Sequence, residues 1–186
     1  MQHELIFSGF GGQGVMFAGQ LLAYAAMDTG YHVTWIPSYG PEMRGGTAHC
    51  TVVISDKPIG SPVVRRPQIA IVFNKPSFDK YEPLVRPGGL LVINSSLVDD
   101  PVTRERLDVL RIPATQMAEQ VGTPRLTNVV LLGALLAERP ILPVNALCDA
   151  LDAHIPAHRR NLLPQNIEAV RRGAAYAGDF ETMGIP

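Results

Sequence analysis

Charge and cysteine are scarce in this sequence, and each scarcity excludes a class of protein. Only 18% of the 186 residues are charged and the formal net charge is −1, so we expect no nucleic acid and no membrane surface as a partner. The two cysteines, Cys50 and Cys148, are far apart and form no CxxC pattern. The chain therefore lacks the thiolates that an iron–sulfur cluster or a cysteine zinc site requires.

Long apolar runs are missing as well. The longest, residues 129–137, is much shorter than the roughly 20 residues that span a bilayer. The first residues carry no basic stretch followed by an apolar one, so no signal peptide is predicted. We therefore expect a cytoplasmic protein that folds as a single domain over residues 1–186. Because 46% of the residues are hydrophobic and few are charged, we also expect contacts buried against a partner.

The hydrophobic pattern that is present predicts an α/β fold. A buried strand at residues 5–7 leads into a glycine-rich turn, a helix that ends at Gly30, and a second strand at 32–36. This order implies parallel strands and a right-handed crossover. Further strands are predicted at 47–55, 69–73 and 90–94, and helices at 76–85, 123–139, 143–153 and 164–178. The expected architecture is Rossmann-like: a parallel-dominated sheet with helices on both faces and a helical C-terminal third.

The glycine-rich turn is the first candidate site. It consists of Gly9, Gly11, Gly12, Gln13 and Gly14 around Phe10, between a predicted strand and a predicted helix. In that position glycines permit a tight turn and a close approach of a ligand, and the free N–H groups at the helix start face an anion such as a phosphate. The simpler alternative is a turn that only lets the helix pack closely on the strand.

The usual dinucleotide interpretation of such a turn requires an acid at the end of the second strand, to hold the ribose hydroxyls. That strand end contains Trp35 and Pro37, and no carboxylate occurs before Glu42. The sequence therefore argues against NAD or NADP.

A second glycine-rich segment follows the second strand. It contains Tyr39, Arg44, Gly45 and Gly46, and it should lie beside the first turn at the carboxyl ends of the strands. Arg44 can present a planar charged fork to a phosphate or carboxylate. The alternative is a surface arginine paired with Glu42.

Together these motifs resemble the gamma subunits of 2-oxoacid:ferredoxin oxidoreductases. The resemblance rests on residues 9–14, on 39–46, on Ile54-Ser55 before 59–62, and on 128–133, and it covers residues 3 to about 175. One departure is Gln68, where the family commonly has an aspartate.

The resemblance implies a gamma subunit that is inactive alone. The complex would convert a 2-oxoacid, coenzyme A and oxidised ferredoxin into acyl-CoA, carbon dioxide and reduced ferredoxin. Thiamine diphosphate and iron–sulfur clusters would lie on alpha, beta and delta partner subunits. The two glycine segments would contact coenzyme A or a neighbouring subunit, and 2-oxoglutarate is the weakly favoured substrate. No residue of this chain is assigned a catalytic role, and no metal site is predicted.

Two other interpretations stay open on the residues alone. One is a free-standing nucleotide-binding protein or reductase, which calorimetry with NAD, NADP, FAD and coenzyme A would reveal. The other is a scaffold whose glycine segments bind nothing. Because the helix predicted from Thr123 is apolar nearly all round, the isolated chain is expected to form a homodimer.

Three smaller features are assigned structural roles. His154 and His158 have the i,i+4 spacing of a metal pair, but Pro156 lies between them and no third ligand is near in sequence. Cys50 alternates with apolar residues on a strand, which indicates core packing. The Ser95-Ser96 pair follows a strand and is expected to cap the next segment.

Overall fold

The computed structural model describes residues 1–40 and 46–183. Its strands are β1 (Gln2–Phe10), β2 (His32–Tyr39), β3 (Thr47–Ser55), β4 (Ile69–Val72), β5 (Leu90–Asn94) and β6 (Asp108–Ile112). They form one sheet in the order β2-β3-β1-β4-β5-β6. β1, β4, β5 and β6 pair in parallel, whereas β3 is antiparallel to both of its neighbours. The predicted parallel-dominated sheet is confirmed.

The helices cover both faces of this sheet, as predicted. They are α1 (Val15–Asp28), α2 (Lys75–Tyr81), α3 (Ala114–Val121), α4 (Thr127–Glu138), α5 (Val144–His154) and α6 (Leu163–Met183). α2 packs on one face through Phe78 and Tyr81, against Ile6 and Val72 of the sheet. The other five helices share one apolar core on the opposite side of the sheet. Four of them follow β6, so the C-terminal third is helical as expected. No helix within the described ranges combines the length and the apolarity needed to cross a membrane.

The second strand departs from the expectation in its neighbours and its length. β1 and β2 run in the same direction, but β3 lies between them and pairs with both. β2 also continues through Pro37 to Tyr39 instead of ending at residue 36. An edge strand tolerates a proline because one of its sides has no hydrogen-bonding partner. β2 and β3 therefore pair as the two antiparallel strands of a hairpin, with residues 40–46 between them in the chain.

One strand and one helix were not predicted at all, namely β6 and α3. The five residues of β6 include exposed Asp108 and Val109, so their alternation is weak. They become a strand through parallel pairing with β5, a contact between distant residues that the local sequence pattern does not reveal. α3 then begins directly after Pro113.

The apolar helix α4 is buried within the chain itself. Every residue from Thr127 to Leu136 is buried, and α6 crosses α4 at the point where Gly133 faces Gly173. Because α6 covers the apolar surface of α4, that surface is no longer a reason to expect self-association. The homodimer of the isolated chain stays a prediction without that support.

Candidate functional site

The first glycine turn lies where predicted, between β1 and α1 at the carboxyl ends of the parallel strands. Gly12 and Gly14 have φ values of +101° and +75°, which favour glycine. Gly9 is required for another reason, because a Cβ there would lie 2.8 Å from Val15 Cγ2 and 2.9 Å from Phe73 Cβ. The turn is therefore shaped both by left-handed backbone and by close packing.

Several N–H groups of this turn are already used inside the chain. Gln13 Oε1 accepts hydrogen bonds from Phe10 N at 2.7 Å and from Asn74 Nδ2 at 2.9 Å, while Gln13 N donates to Phe10 O at 3.1 Å. The side-chain oxygen of Gln13 thus has a structural role. Among the described residues, the N–H groups of Gly12 and Gly14 have no partner, and no side chain caps the first turn of α1. Backbone N–H groups at a helix start are suited to binding an anion.

The two glycine segments meet, as predicted. They do so because β3, which begins directly after the second segment, pairs with β1. Gly11 N donates to Gly46 O at 3.0 Å. Tyr39, at the end of β2, is 63% exposed on the same edge. Arg44 and Gly45 lie outside the described residues, so their predicted role stays a prediction.

The strand order explains why a carboxylate at the end of β2 could not hold the ribose of a dinucleotide bound at the glycine turn. Since β3 lies between β1 and β2, that strand end is about 10 Å from β1 instead of the roughly 5 Å between paired strands. Trp35, in the middle of β2, packs against Gly19 of α1 and Cys50 of β3. Both the side chains and the topology therefore disfavour the usual NAD site.

A network of amides and hydroxyls, which the sequence did not reveal, supports the glycine turn from the next strand ends. Asn74 follows β4, donates to Gln13, and accepts from Ser77 N at 3.0 Å, which caps α2. Asn94 ends β5 and donates to Thr115 Oγ1 at 3.0 Å. Asn128 of α4 donates to Gly14 O at 3.2 Å. Polar residues at consecutive strand ends were the available signal.

A cleft opens beside this network. Its volume is about 210 Å³, and it is lined by Gly12, Gln13, Leu97, Thr115, Pro124, Arg125 and Thr127. Arg125 is exposed and makes no side-chain hydrogen bond or ion pair with the residues that the structure describes. It is the charged residue of the cleft, and sequence analysis missed it. Because drug-sized ligands occupy about 300–1,000 Å³, the cleft is suited to one phosphate-sized part of a ligand.

Two of the smaller sequence candidates make contacts within the chain. His154 stacks on Tyr24 with ring centroids 4.3 Å apart, and its Nε2 lies 2.8 Å from Asp28 Oδ2. No group of three potential metal ligands occurs within residues 1–40 and 46–183. Ser96 Oγ accepts from Gln116 N at 3.2 Å and so caps α3, the next helix along the chain.

Cys50 is a core residue, as predicted, and its chemistry follows from its burial. The side chain is fully buried, and desolvation raises the pKa of the Cys50 thiol to about 12. Only about one thiol in ten thousand is then ionised at pH 8, and the thiolate fraction rises as the pH approaches the pKa. A Cys148→Ser variant should therefore show no reaction with a disulfide reagent at pH 8 while native, and one thiol after unfolding. Rapid labelling of the native variant would contradict this assignment.

Comparisons with known proteins agree with the fold and with the family that the sequence resembles. The chain is 35% identical over 168 residues to the 2-oxoglutarate synthase subunit KorC of Methanocaldococcus jannaschii, covering 88% of this chain and 90% of that one. It is 43% identical over 130 residues to the ketoisovalerate oxidoreductase subunit VorA of Methanothermobacter marburgensis. That alignment covers 70% of this chain but only 27% of VorA.

Two solved structures share the fold. The gamma subunit of a keto/oxoacid ferredoxin oxidoreductase from Geobacter sulfurreducens superposes with a TM-score of 0.84 at 28% identity, over 95% of this chain and 97% of that one. A 2-oxoglutarate:ferredoxin oxidoreductase from Magnetococcus marinus, with 2-oxoglutarate, coenzyme A and succinyl-CoA bound, superposes with a TM-score of 0.86 at 24% identity. This match covers 96% of our chain and 31% of that chain, and it supports the fold alone.

The fold and the paired glycine segments define a class of protein, the gamma-type subunits of oxidoreductases. The family described as pyruvate ferredoxin/flavodoxin oxidoreductase matches residues 4–176, so this chain belongs to that family. The resemblance found in the sequence is confirmed.

Proposed function

We propose that the chain is the gamma subunit of a 2-oxoacid:ferredoxin oxidoreductase and contributes a contact for coenzyme A. The overall reaction would join the acyl group of a decarboxylated 2-oxoacid to coenzyme A and pass two electrons to ferredoxin. Alpha, beta and delta subunits would carry thiamine diphosphate and the iron–sulfur clusters, and the gamma chain would hold no catalytic residue. The sparse cysteines and the absence of a metal-ligand cluster among the described residues are compatible with this division.

The cleft at the carboxyl edge carries the coenzyme A part of the proposal. Coenzyme A has a pyrophosphate and a ribose phosphate, and the cleft combines the Arg125 guanidinium with the open N–H groups of Gly12 and Gly14. A guanidinium and backbone N–H groups at a helix start are both suited to phosphate oxygens. With a volume of about 210 Å³, the cleft would hold a phosphate and leave the rest of the molecule to other chains.

We expect Arg125→Ala to raise the KM for coenzyme A at least tenfold in the assembled enzyme, with kcat nearly unchanged. A hydrogen bond to a charged group contributes about 1.5–3 kcal/mol, and 1.4 kcal/mol corresponds to tenfold. Steady-state kinetics at varied coenzyme A would measure this. Arg171→Ala, an exposed arginine on α6, is the matched control and should leave KM unaltered. An unchanged KM in Arg125→Ala, with a normal melting temperature, would refute the contact.

The Arg125→Ala variant and calorimetry of the isolated chain separate this proposal from the two alternatives, a scaffold and a free-standing nucleotide-binding protein. A scaffold that binds nothing would respond to Arg125→Ala with impaired assembly or with no effect, and without a separate change in KM. A free-standing nucleotide-binding protein would bind NAD, NADP or FAD tightly in calorimetry of the isolated chain.

For the 2-oxoacid we propose 2-oxoglutarate, because KorC matches this chain over nearly its whole length. Ketoisovalerate is the second candidate, because the identity to VorA is higher over the aligned part. Assays of the reconstituted complex with 2-oxoglutarate, 2-ketoisovalerate and pyruvate would decide. Fastest turnover of a branched-chain acid would overturn the first choice.

A further inference from the structure

A groove with a basic lining lies at the amino ends of β1 and β4, on the sheet edge opposite the glycine turn. It has a volume of about 640 Å³ and is lined by Glu4, Ser61, Val63, Arg65, Arg66 and Arg86. Most of its lining comes from residues 56–68, a segment without helix or strand that connects β3 to β4. Three arginines thus converge on one groove in a chain whose net charge is only −1.

The charges at this edge do not cancel. Arg86 forms an ion pair with Glu4, the only acid that lines the groove. Arg65 and Arg66 are both exposed, and neither makes an ion pair or a side-chain hydrogen bond with any described residue. Two permanent positive charges are therefore left over, because arginine stays protonated at every physiological pH.

The neighbouring cavity supports the view that this edge is incomplete by itself. The cavity, of about 460 Å³, shares Arg86 with the groove and is also lined by His3 and Gln68. Gln68 Oε1 is used within the chain, where it accepts from Glu4 N at 3.3 Å. His3 Nε2 is buried without a hydrogen-bond partner in the described part of the chain. Buried polar atoms are almost always satisfied, so one hydrogen bond at this edge remains to be supplied by water or by another molecule.

We propose that this amino edge is a docking surface for an acidic segment of a partner protein, whose carboxylates pair with Arg65 and Arg66. The guanidinium fork matches a carboxylate in geometry and can bind it through two hydrogen bonds. Val63 is 66% exposed in the same groove and supplies the apolar contact that a peptide segment can use. Nucleic acid is disfavoured, because its binding depends on the neutralisation of many phosphates, and this groove offers two unpaired cations in a chain of net charge −1.

The test uses the full chain and a fluorescent deca-glutamate peptide, with anisotropy measured at 20 mM and 200 mM salt. We expect binding at low salt that weakens at high salt, and a Kd at least about tenfold higher for the double variant Arg65→Glu/Arg66→Glu. The matched control, Arg159→Glu/Arg171→Glu, changes the net charge equally and should bind as the unaltered chain does. Circular dichroism and the melting temperature should stay unchanged in both variants, since all four side chains are exposed.

Three results would overturn the proposal: no peptide binding at low salt, equal weakening in the control, or tighter binding of an oligonucleotide of the same charge. A second arm uses the assembled enzyme. The variant Arg65→Gln/Arg66→Gln should release this chain from its partner chains at lower salt than the unaltered enzyme does. Unchanged salt resistance would contradict docking at this edge. Neither arm depends on the coenzyme A contact at Arg125, so failure of one proposal can be distinguished from failure of the other.

Discussion

Replacing Gly133 by alanine is expected to lower the free energy of unfolding by about 3 kcal/mol or more, although alanine normally favours a helix. A Cβ at Gly133 would overlap the carbonyl oxygen of Val170, and a Cβ at Gly173 would overlap that of Val130. The neighbouring atoms are backbone, so no side chain can rotate away and α4 and α6 must separate. The gain in helix propensity, about 0.5–1 kcal/mol, is smaller than this overlap penalty.

Thermal or urea unfolding of the isolated chain measures the effect. A loss of 3 kcal/mol corresponds to a melting temperature lower by about 6–12 °C in a chain of this size. Gly178→Ala is the control on the same helix, because no atom of the described residues lies within 4 Å of a Cβ there. It should leave stability unchanged or raise it slightly. If the free energy of unfolding of Gly133→Ala stayed within about 0.5 kcal/mol of that of the unaltered chain, α4 and α6 would not be in backbone contact at Gly133.

Replacing Gly14 by alanine is expected to produce the second largest loss, about 2–4 kcal/mol, and to open the glycine turn. Gly14 combines a φ of +75° with contact against Asn128, whose Nδ2 a Cβ would overlap. Gly12 has a φ of +101°, and no atom of the described residues lies within 4 Å of a Cβ there. Gly12→Ala should therefore cost only the left-handed strain, about 1–2 kcal/mol. The difference between the two variants isolates the overlap with Asn128.

A double-mutant cycle sharpens this prediction. Asn128→Ala removes the overlapping amide, so the loss in Gly14→Ala/Asn128→Ala should be clearly smaller than the sum of the single losses. Urea unfolding of the four proteins gives the coupling energy. Additive losses would show that Asn128 does not limit the space at Gly14. In the assembled enzyme, Gly14→Ala should also raise the KM for coenzyme A if the turn lies against that ligand.

The glycine turn could be predicted from the sequence because the residues that form it are consecutive in the chain. A strand, a turn rich in glycine and a helix follow each other without interruption. The position of Gly12 and Gly14 before the helix, and of Gly9 near the end of the strand, therefore needs no distant contact. The contact between the two glycine segments followed from their places after two strands and is confirmed by the hydrogen bond from Gly11 to Gly46.

The polar residues around that turn could not be assigned in the same way. Asn74, Asn94, Thr115 and Arg125 come from four separate segments, and each is unremarkable among its own neighbours. They meet only because parallel strands end at one edge and α3 and α4 return across it. Asparagine and threonine also occur commonly in turns, so no single residue carried a signal.

The sequence by itself determined the α/β class, the glycine turn and the family, because these depend on short-range patterns of glycine and apolar residues. Only the tertiary structure decided that β3 lies between β1 and β2, that α4 is covered by α6, and that Arg125 lines the cleft. Strand order, helix cover and site assembly all depend on contacts between residues far apart in the chain. Local propensity is the same for several such arrangements, and the packing of the whole chain selects one of them.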